Sequence, residues 1–239
     1  MILYKDRDDP RRRMLLRALA SGLFALTLPS RYARAGVLGS VPEPMPPGRS
    51  IYELRGNVKI NGVVPTVATK IAPTDTIETG SDGFIIFVVG KDSFVVRANS
   101  KLVLKGQNGL LDTLQLLTGK VLSVFGKSRH QIRTPSAIVG IRGTGVYAEA
   151  DPQQTYLCTC YGVVDLVGVN DPESREVIES RHHDKPRYIL GGEPTGKRIR
   201  PAPFINHTDE ELMILEAIVG RTPPFVFSSA DYNAPRRDY

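Results

Sequence analysis

Five side chains in the second half of the sequence have the types and order of a soft-metal ligand set. Cys158 and Cys160, the only two cysteines, stand in Thr155-Tyr156-Leu157-Cys158-Thr159-Cys160-Tyr161-Gly162. Three of the four histidines follow: His182 and His183 in Ser180-Arg181-His182-His183-Asp184, and His207 just before Thr208-Asp209-Glu210-Glu211. If the cysteine run is a strand, alternation puts both sulfurs on one side. Their Cα atoms would then lie about 6.6 Å apart with near-parallel Cβ directions, at the upper limit for a disulfide. That geometry disfavours a bridge between the two and suits a shared grip on one ion. Two thiolates with two imidazoles form a set that zinc accepts tetrahedrally, and copper(I) also favours thiolate with imidazole. His182 and His183 point to opposite faces of an extended chain, so one of them is expected to ligate. His183 is the first choice and His182 the reserve. The spacings fit no standard zinc-finger pattern.

The same residues admit plainer readings. Cysteine packs readily as a small buried hydrophobe, with the histidines left in solvent. A redox or intermolecular thiol is a third reading. An enzymatic reading also exists: a metal-dependent hydrolase or redox protein would use three of the ligands, keep one metal position open, and take Asp209 or Glu210 as a base. No G-x-S-x-G, H-E-x-x-H or phosphate-binding glycine loop is present. Gly140-x-x-Gly143-x-Gly145 lacks the lysine and helix of such a loop, so it reads as β-bulge chemistry.

The elements that must position these residues are mostly strands. The chain has no tryptophan and is rich in valine, isoleucine, threonine and glycine, a β-favouring composition. Short apolar runs alternate with turn signals: Phe84 to Val89, Ser93 to Ala98, Leu102 to Leu104, Gly119 to Val124 and Val146 to Glu149, punctuated by Asn61-Gly62, Asp82-Gly83, Gly90-Lys91-Asp92 and Asn108-Gly109. This pattern predicts an all-β domain over residues 51–167, as a sandwich, barrel or short solenoid. Residues 168–239 are read as a C-terminal extension with one helix over 209–219. Thr208 and Glu211 form a capping box there, Leu212, Leu215 and Val219 with Ile214 and Ile218 give an apolar face, and Gly220 ends it. The helix would carry His207 toward the cysteines. An irregular tail follows, with Phe225 and Phe227 as anchors.

Upstream, residues 36–50 are a linker, with Pro42, Pro44, Pro46 and Pro47 excluding helix and central strand. Residues 1–35 have the basic front, short apolar middle (Ala18 to Leu28) and small-x-small end (Ala33-Arg34-Ala35) of an export signal. The whole chain carries 31 bases and 25 acids. Residues 1–35 hold eight of the bases and three of the acids, so the remainder is nearly neutral. That balance gives no footprint for nucleic acid. No later apolar run approaches the ~20 residues of a membrane span.

Two resemblances follow from these residues. Arg12-Arg13-Met14-Leu15-Leu16-Arg17 resembles the twin-arginine motif of leaders that export folded proteins, although Arg11 stands where serine or threonine is favoured. Asp75-Thr76-Ile77-Glu78-Thr79-Gly80, Leu117-Thr118-Gly119-Lys120-Val121 and, above all, Thr134-Pro135-Ser136-Ala137-Ile138-Val139-Gly140-Ile141-Arg142-Gly143-Thr144 resemble the FecR domain, the periplasmic module of iron-responsive transmembrane regulators. The resemblance covers about half the chain. It implies a twisted, L-shaped β-helical or solenoid-like packing and a periplasmic, non-enzymatic binding or regulatory role with a protein partner. The membrane helix and cytoplasmic sigma-factor-binding segment of full-length regulators are not visible, so a signal would need a partner to cross the inner membrane. Within the motif, Gly143 and Gly145 are expected to permit a bulge or close strand approach at Thr144, and Arg142 either to contact a partner or, as the first choice, to cap carbonyls or pair with an acid.

Overall fold

Strand structure begins where the proline run ends. In the computed structural model, which describes residues 42–193 and 196–225, β1 (Ile51–Arg55) pairs antiparallel with β4 (Phe84–Val89). β4 turns through Gly90-Lys91 into β5 (Asp92–Val96). The export signal expected over residues 1–35 and the anchor expected at Phe227 lie outside the described residues. A second ladder joins β2 (Val58–Ile60), β3 (Thr76–Thr79) and β6 (Lys101–Gln107). The turn signals behave as read: Asn108 and Gly109 have φ of 53° and 75°, the pair of positive values a two-residue hairpin needs. They join β6 to β7 (Leu110–Val124).

Three long strands knit these ladders together. The first half of β7 pairs with β6 and runs parallel to β8 (Arg129–Arg133), and its second half pairs with β5 and β9 (Ala137–Ala150). β10 (Gln154–Gly168) lies along both halves of β9. The β9–β10 pair slips register on either side of Tyr161, opposite Gly143-Thr144-Gly145. Gly143 and Gly162 have φ of 53° and 91°. A Cβ at Gly145 would stand 2.5 Å from the Tyr161 ring, and one at Gly162 would stand 2.8 Å from Thr144 Oγ1. The glycines of the motif therefore serve the bulge and close approach that their spacing predicts. Arg142 departs from its expected capping role: the residue is exposed, and its side chain makes no hydrogen bond or ion pair among the described residues.

The chain beyond residue 167 adds to the same sheet. β11 (Asp171–Ser180) and β12 (Arg187–Leu190) pair with opposite halves of β10, and β13 (Ile199–Pro201) pairs with β12. All thirteen strands among the described residues belong to one hydrogen-bonded sheet, so the architecture is all-β. The one helix among the described residues, α1 (Asp209–Ile218), carries the expected capping box between Thr208 and Glu211. No helix among the described residues is long and apolar enough to cross a membrane.

Side-chain alternation gives the sheet two apolar faces. Ile51, Phe87, Phe94, Leu114, Val139 and Leu157 belong to the larger core. Ile86, Val95, Leu122, Tyr147, Tyr156, Cys158 and Cys160 form a second cluster with Leu212, Leu215 and Ile218 of α1. Each buried leucine or isoleucine contributes about 1.5–3 kcal/mol, so α1 is held by its apolar stripe. Polar contacts fix its register: Ser93 Oγ donates to the Leu215 carbonyl at 2.7 Å, Arg97 reaches the Glu211 carboxylate at 2.7 Å, and the Met45 amide donates to the Ile218 carbonyl at 2.8 Å. That last bond ties part of the proline-rich linker to the helix end.

Candidate metal centre

The two cysteines sit mid-strand in β10, on the face covered by α1. Leu157 points into the larger core and Cys158 into the smaller, as alternation requires. The register slip at Tyr161 then turns both Cys160 and Tyr161 toward the helix side. Both cysteines are free thiols with no exposed surface.

His183 arrives on the turn that follows β11. The Asp184 carboxylate accepts the amides of Arg181 and His182 at 2.8 and 3.3 Å, and the His183 amide donates to the Cys160 carbonyl at 2.9 Å. His183 adopts a left-handed conformation, φ 54°, uncommon for a non-glycine residue. His207 is delivered from the other direction, one residue before the Thr208 cap. Its ring stacks on Tyr147 with centroids 4.4 Å apart. The preceding backbone is moored by the Ile205 amide on Tyr156 Oη at 3.3 Å and by Asn206 on Glu149 at 2.7 Å.

These four side chains converge. Cys158 Sγ lies 3.4 Å from His183 Nδ1, Cys160 Sγ lies 3.4 Å from His207 Nε2, and the two ring nitrogens are 3.1 Å apart. All four donor atoms lie within 4.8 Å of one another. A tetrahedral zinc with bonds of about 2.3 Å to sulfur and about 2.05 Å to nitrogen has S···N edges near 3.6 Å and N···N edges near 3.3 Å. The observed edges fall within a few tenths of an ångström of these.

The outward ring nitrogens settle which atoms can ligate. His207 Nδ1 donates to the Ile205 carbonyl at 2.7 Å. A carbonyl only accepts, so this nitrogen carries the proton and Nε2 keeps its lone pair. His183 Nε2 lies 3.0 Å from Asp209 Oδ1, which leaves Nδ1 facing the sulfurs. Backbone carbonyl and carboxylate are the usual outer partners of metal-binding histidines. Two lone pairs aimed at each other across 3.1 Å repel unless a proton or a cation lies between them.

The electrostatics agree. The Cys158 thiol is lowered to about 4, first by its hydrogen bond with Cys160 and, against burial, by its contacts with His183 and His207. Burial pushes Cys160 well up. For His183 burial acts downward, but hydrogen bonds to Asp209 and Cys158 outweigh it and raise the ring to about 9. Burial would raise Asp209, yet hydrogen bonds from His182 and His183 hold it well below the usual carboxylate range. Without metal these shifts favour a Cys158 thiolate beside a protonated His183, with the Asp209 carboxylate on the far side of the ring. Metal would convert both cysteines to thiolates and release protons.

Of the five residues singled out from sequence, Cys158, Cys160, His183 and His207 meet in one group and His182 does not join it. The expectation that His182 and His183 point to opposite faces is overturned, because left-handed backbone at His183 swings both rings toward Asp209. His182 Nε2 is 2.9 Å from each Asp209 oxygen, and the two rings are 4.7 Å apart. Asp209, read from sequence as a candidate base for an enzyme, contacts the imidazoles of His182 and His183, and Glu210 is exposed. A buried acid went unread: Glu216 accepts from Tyr161 Oη and from Arg221 Nε at 2.5 Å. Its place inside the apolar stripe of α1 was the available signal. The fourth histidine, His130, lies elsewhere, against the Leu111 carbonyl at 2.9 Å.

Comparison with known proteins adds little to this geometry. No family model matches the chain, and no curated protein does. Two crystal structures of a candidate anti-sigma factor from Parabacteroides distasonis resemble it with TM-scores of 0.43 and 0.44 at 12% identity, over 53% of this chain. The chain spans 58% of the length of those proteins. At that level the likeness carries no information on chemistry or partners.

Proposed function

We propose that this chain is an exported, non-enzymatic binding or regulatory module of the FecR-like kind, in which Cys158, Cys160, His183 and His207 hold one zinc ion structurally. The observation that carries the metal reading is the convergence of four buried donor atoms within 4.8 Å, with both sulfur–nitrogen contacts at 3.4 Å and the nitrogen–nitrogen contact at 3.1 Å near tetrahedral edges, and with both histidines oriented by a second acceptor. Four protein ligands with no exposed position favour a structural centre over a catalytic one, which keeps a site for water. Two neutral imidazoles and two thiolates suit zinc, and copper(I) is the competing ion. The ion would join the sheet, the turn after β11 and the start of α1, presenting one rigid surface to a protein partner. Export to the periplasm rests on the twin-arginine-like leader, and the FecR-like assignment on the Thr134 to Thr144 motif.

The test is elemental analysis of protein purified from the periplasm without a metal-binding tag. One zinc per chain is expected, and it should vanish in Cys158→Ser and Cys160→Ser. Cobalt substitution should give tetrahedral d–d bands with thiolate charge transfer. Sub-stoichiometric metal in the wild type, or unchanged metal in Cys158→Ser, would remove the centre.

A further inference from the structure

The four ligands are too deeply covered for an ion to reach them directly from solvent. The two cysteines are wholly buried, and His183 and His207 are 6% and 3% exposed. Tyr147 stacks on His207, and the Phe204 ring packs on His183 and His207 at 4.5 and 4.6 Å. One edge of the cluster is nevertheless polar and partly open. His183 Nε2 bonds to Asp209, whose side chain is 41% exposed, and the same carboxylate holds His182, whose side chain is 25% exposed. Moving inward from solvent, the donors run from carboxylate and imidazole to a second imidazole and then to two sulfurs. Zinc binds each of these types, and thiolates hold it most strongly of the three.

We propose that His182 and Asp209 form an outer site that takes a divalent first-row cation such as zinc from solvent and passes it beside His183 into the four-ligand centre. The proposal rests on the metal-centre reading above. His182 Nε2 and an Asp209 oxygen are 2.9 Å apart, close to the ~3.0 Å between adjacent ligands about 2.1 Å from an octahedral ion that keeps its remaining water. The ion takes the place of the proton between His182 Nε2 and Asp209, and the ring that ligates through Nε2 is the neutral tautomer with its proton on Nδ1. Asp209 opens α1 directly after the Thr208 cap, so the carboxylate has a fixed position. His183, His182 and Asp209 place their donor atoms within 4.8 Å of one another, and His183 belongs to both this group and the inner one. Transfer inward exchanges the Asp209 carboxylate, the His182 imidazole and water for two thiolates and two imidazoles, with the protons of the inner cluster released to solvent, and the thiolates give the transfer its direction.

An access site alters rates and leaves equilibrium unchanged, and this separates it from a structural role. Zinc-loaded wild type and His182→Ala would be compared in stopped-flow release to a chromophoric chelator. Uptake of cobalt by the metal-free proteins would be followed by the thiolate charge-transfer band. Both rates should fall by the same factor in the variant, roughly tenfold if the outer site concentrates cation as charged clefts do, with final band intensity and position unchanged. Wild-type rates in His182→Ala would overturn the proposal. So would a loss of final intensity at unchanged rate, which would make His182 a structural support. Should the alanine variant fail to fold, His182→Gln keeps much of the volume without an imidazole and is read the same way. Absence of the band in wild type would instead be a failure of the inner centre.

Discussion

At the residue scale the centre depends on which nitrogen of each histidine carries a proton. His207 takes its orientation from a backbone carbonyl, which no substitution removes. His183 takes it from Asp209, so Asp209→Asn tests the idea. The amide keeps an acceptor oxygen but loses the charge that strengthens both imidazole contacts. Outer-partner changes of this kind typically cost about 10–100-fold in metal affinity. That loss is expected in competition titrations with a chelator of known zinc affinity, while Glu210→Gln, one residue away and exposed, should titrate as wild type. Equal affinities for Asp209→Asn and wild type would mean that the carboxylate does not orient His183. Strand pleating made the pairing of Cys158 and Cys160 readable from sequence. The choice between His182 and His183 was not fully readable, since it turns on a left-handed backbone at a non-glycine residue that spacing does not reveal.

At the element scale the centre requires β10 to bend just past the cysteines. The bend is built where Thr144 packs against Gly162: the Thr144 hydroxyl donates to the Arg142 carbonyl at 2.8 Å, and Gly162 lies against it in a backbone region disfavoured for other residues. Gly162→Ala combines positive φ with a 2.8 Å contact to Thr144 Oγ1. Strain of this type costs on the order of 1–3 kcal/mol, and the midpoint of urea unfolding should fall accordingly. Gly192→Ala is the control: it also has positive φ, 61°, but a Cβ there meets nothing within 4 Å, so its loss should be smaller. If the two variants lose equal stability, the packing of Thr144 against Gly162 is not what sets the bend. Strands bounded by asparagine–glycine and glycine–lysine turns were legible because turn chemistry and apolar runs coincide there. β11 to β13 were not. β11 reads Asp-Pro-Glu-Ser-Arg-Glu-Val-Ile-Glu-Ser with only its last residues buried in alternation, so its strand character comes from pairing with β10 rather than from its own pattern.

At the scale of the whole molecule, the ligands join parts of unequal independence. Cys158 and Cys160 belong to the sheet, whereas His183 and His207 come from segments laid over its second face. The larger core contains none of the four, so the sheet has its own source of cohesion. The cover is smaller: α1 offers Leu212, Leu215 and Ile218, and a helix of ten residues is too short to persist alone in water. Removing the metal should therefore act unevenly. In hydrogen exchange read by mass spectrometry, chelation should raise exchange over residues 181–186 and 202–221 and leave the central amides of β5, β7 and β9 protected. Because a ligand that binds only the folded form stabilises it by about 4 kcal/mol at a thousand times its dissociation constant, the unfolding temperature of these covering segments should rise with free zinc. Cys158→Ser should resemble the chelated protein whether or not zinc is added. Uniform loss of protection across β5, β7 and β9 on chelation would mean that the ion sustains the whole sheet, and the centre would then be a folding requirement rather than a clasp for its outer layer.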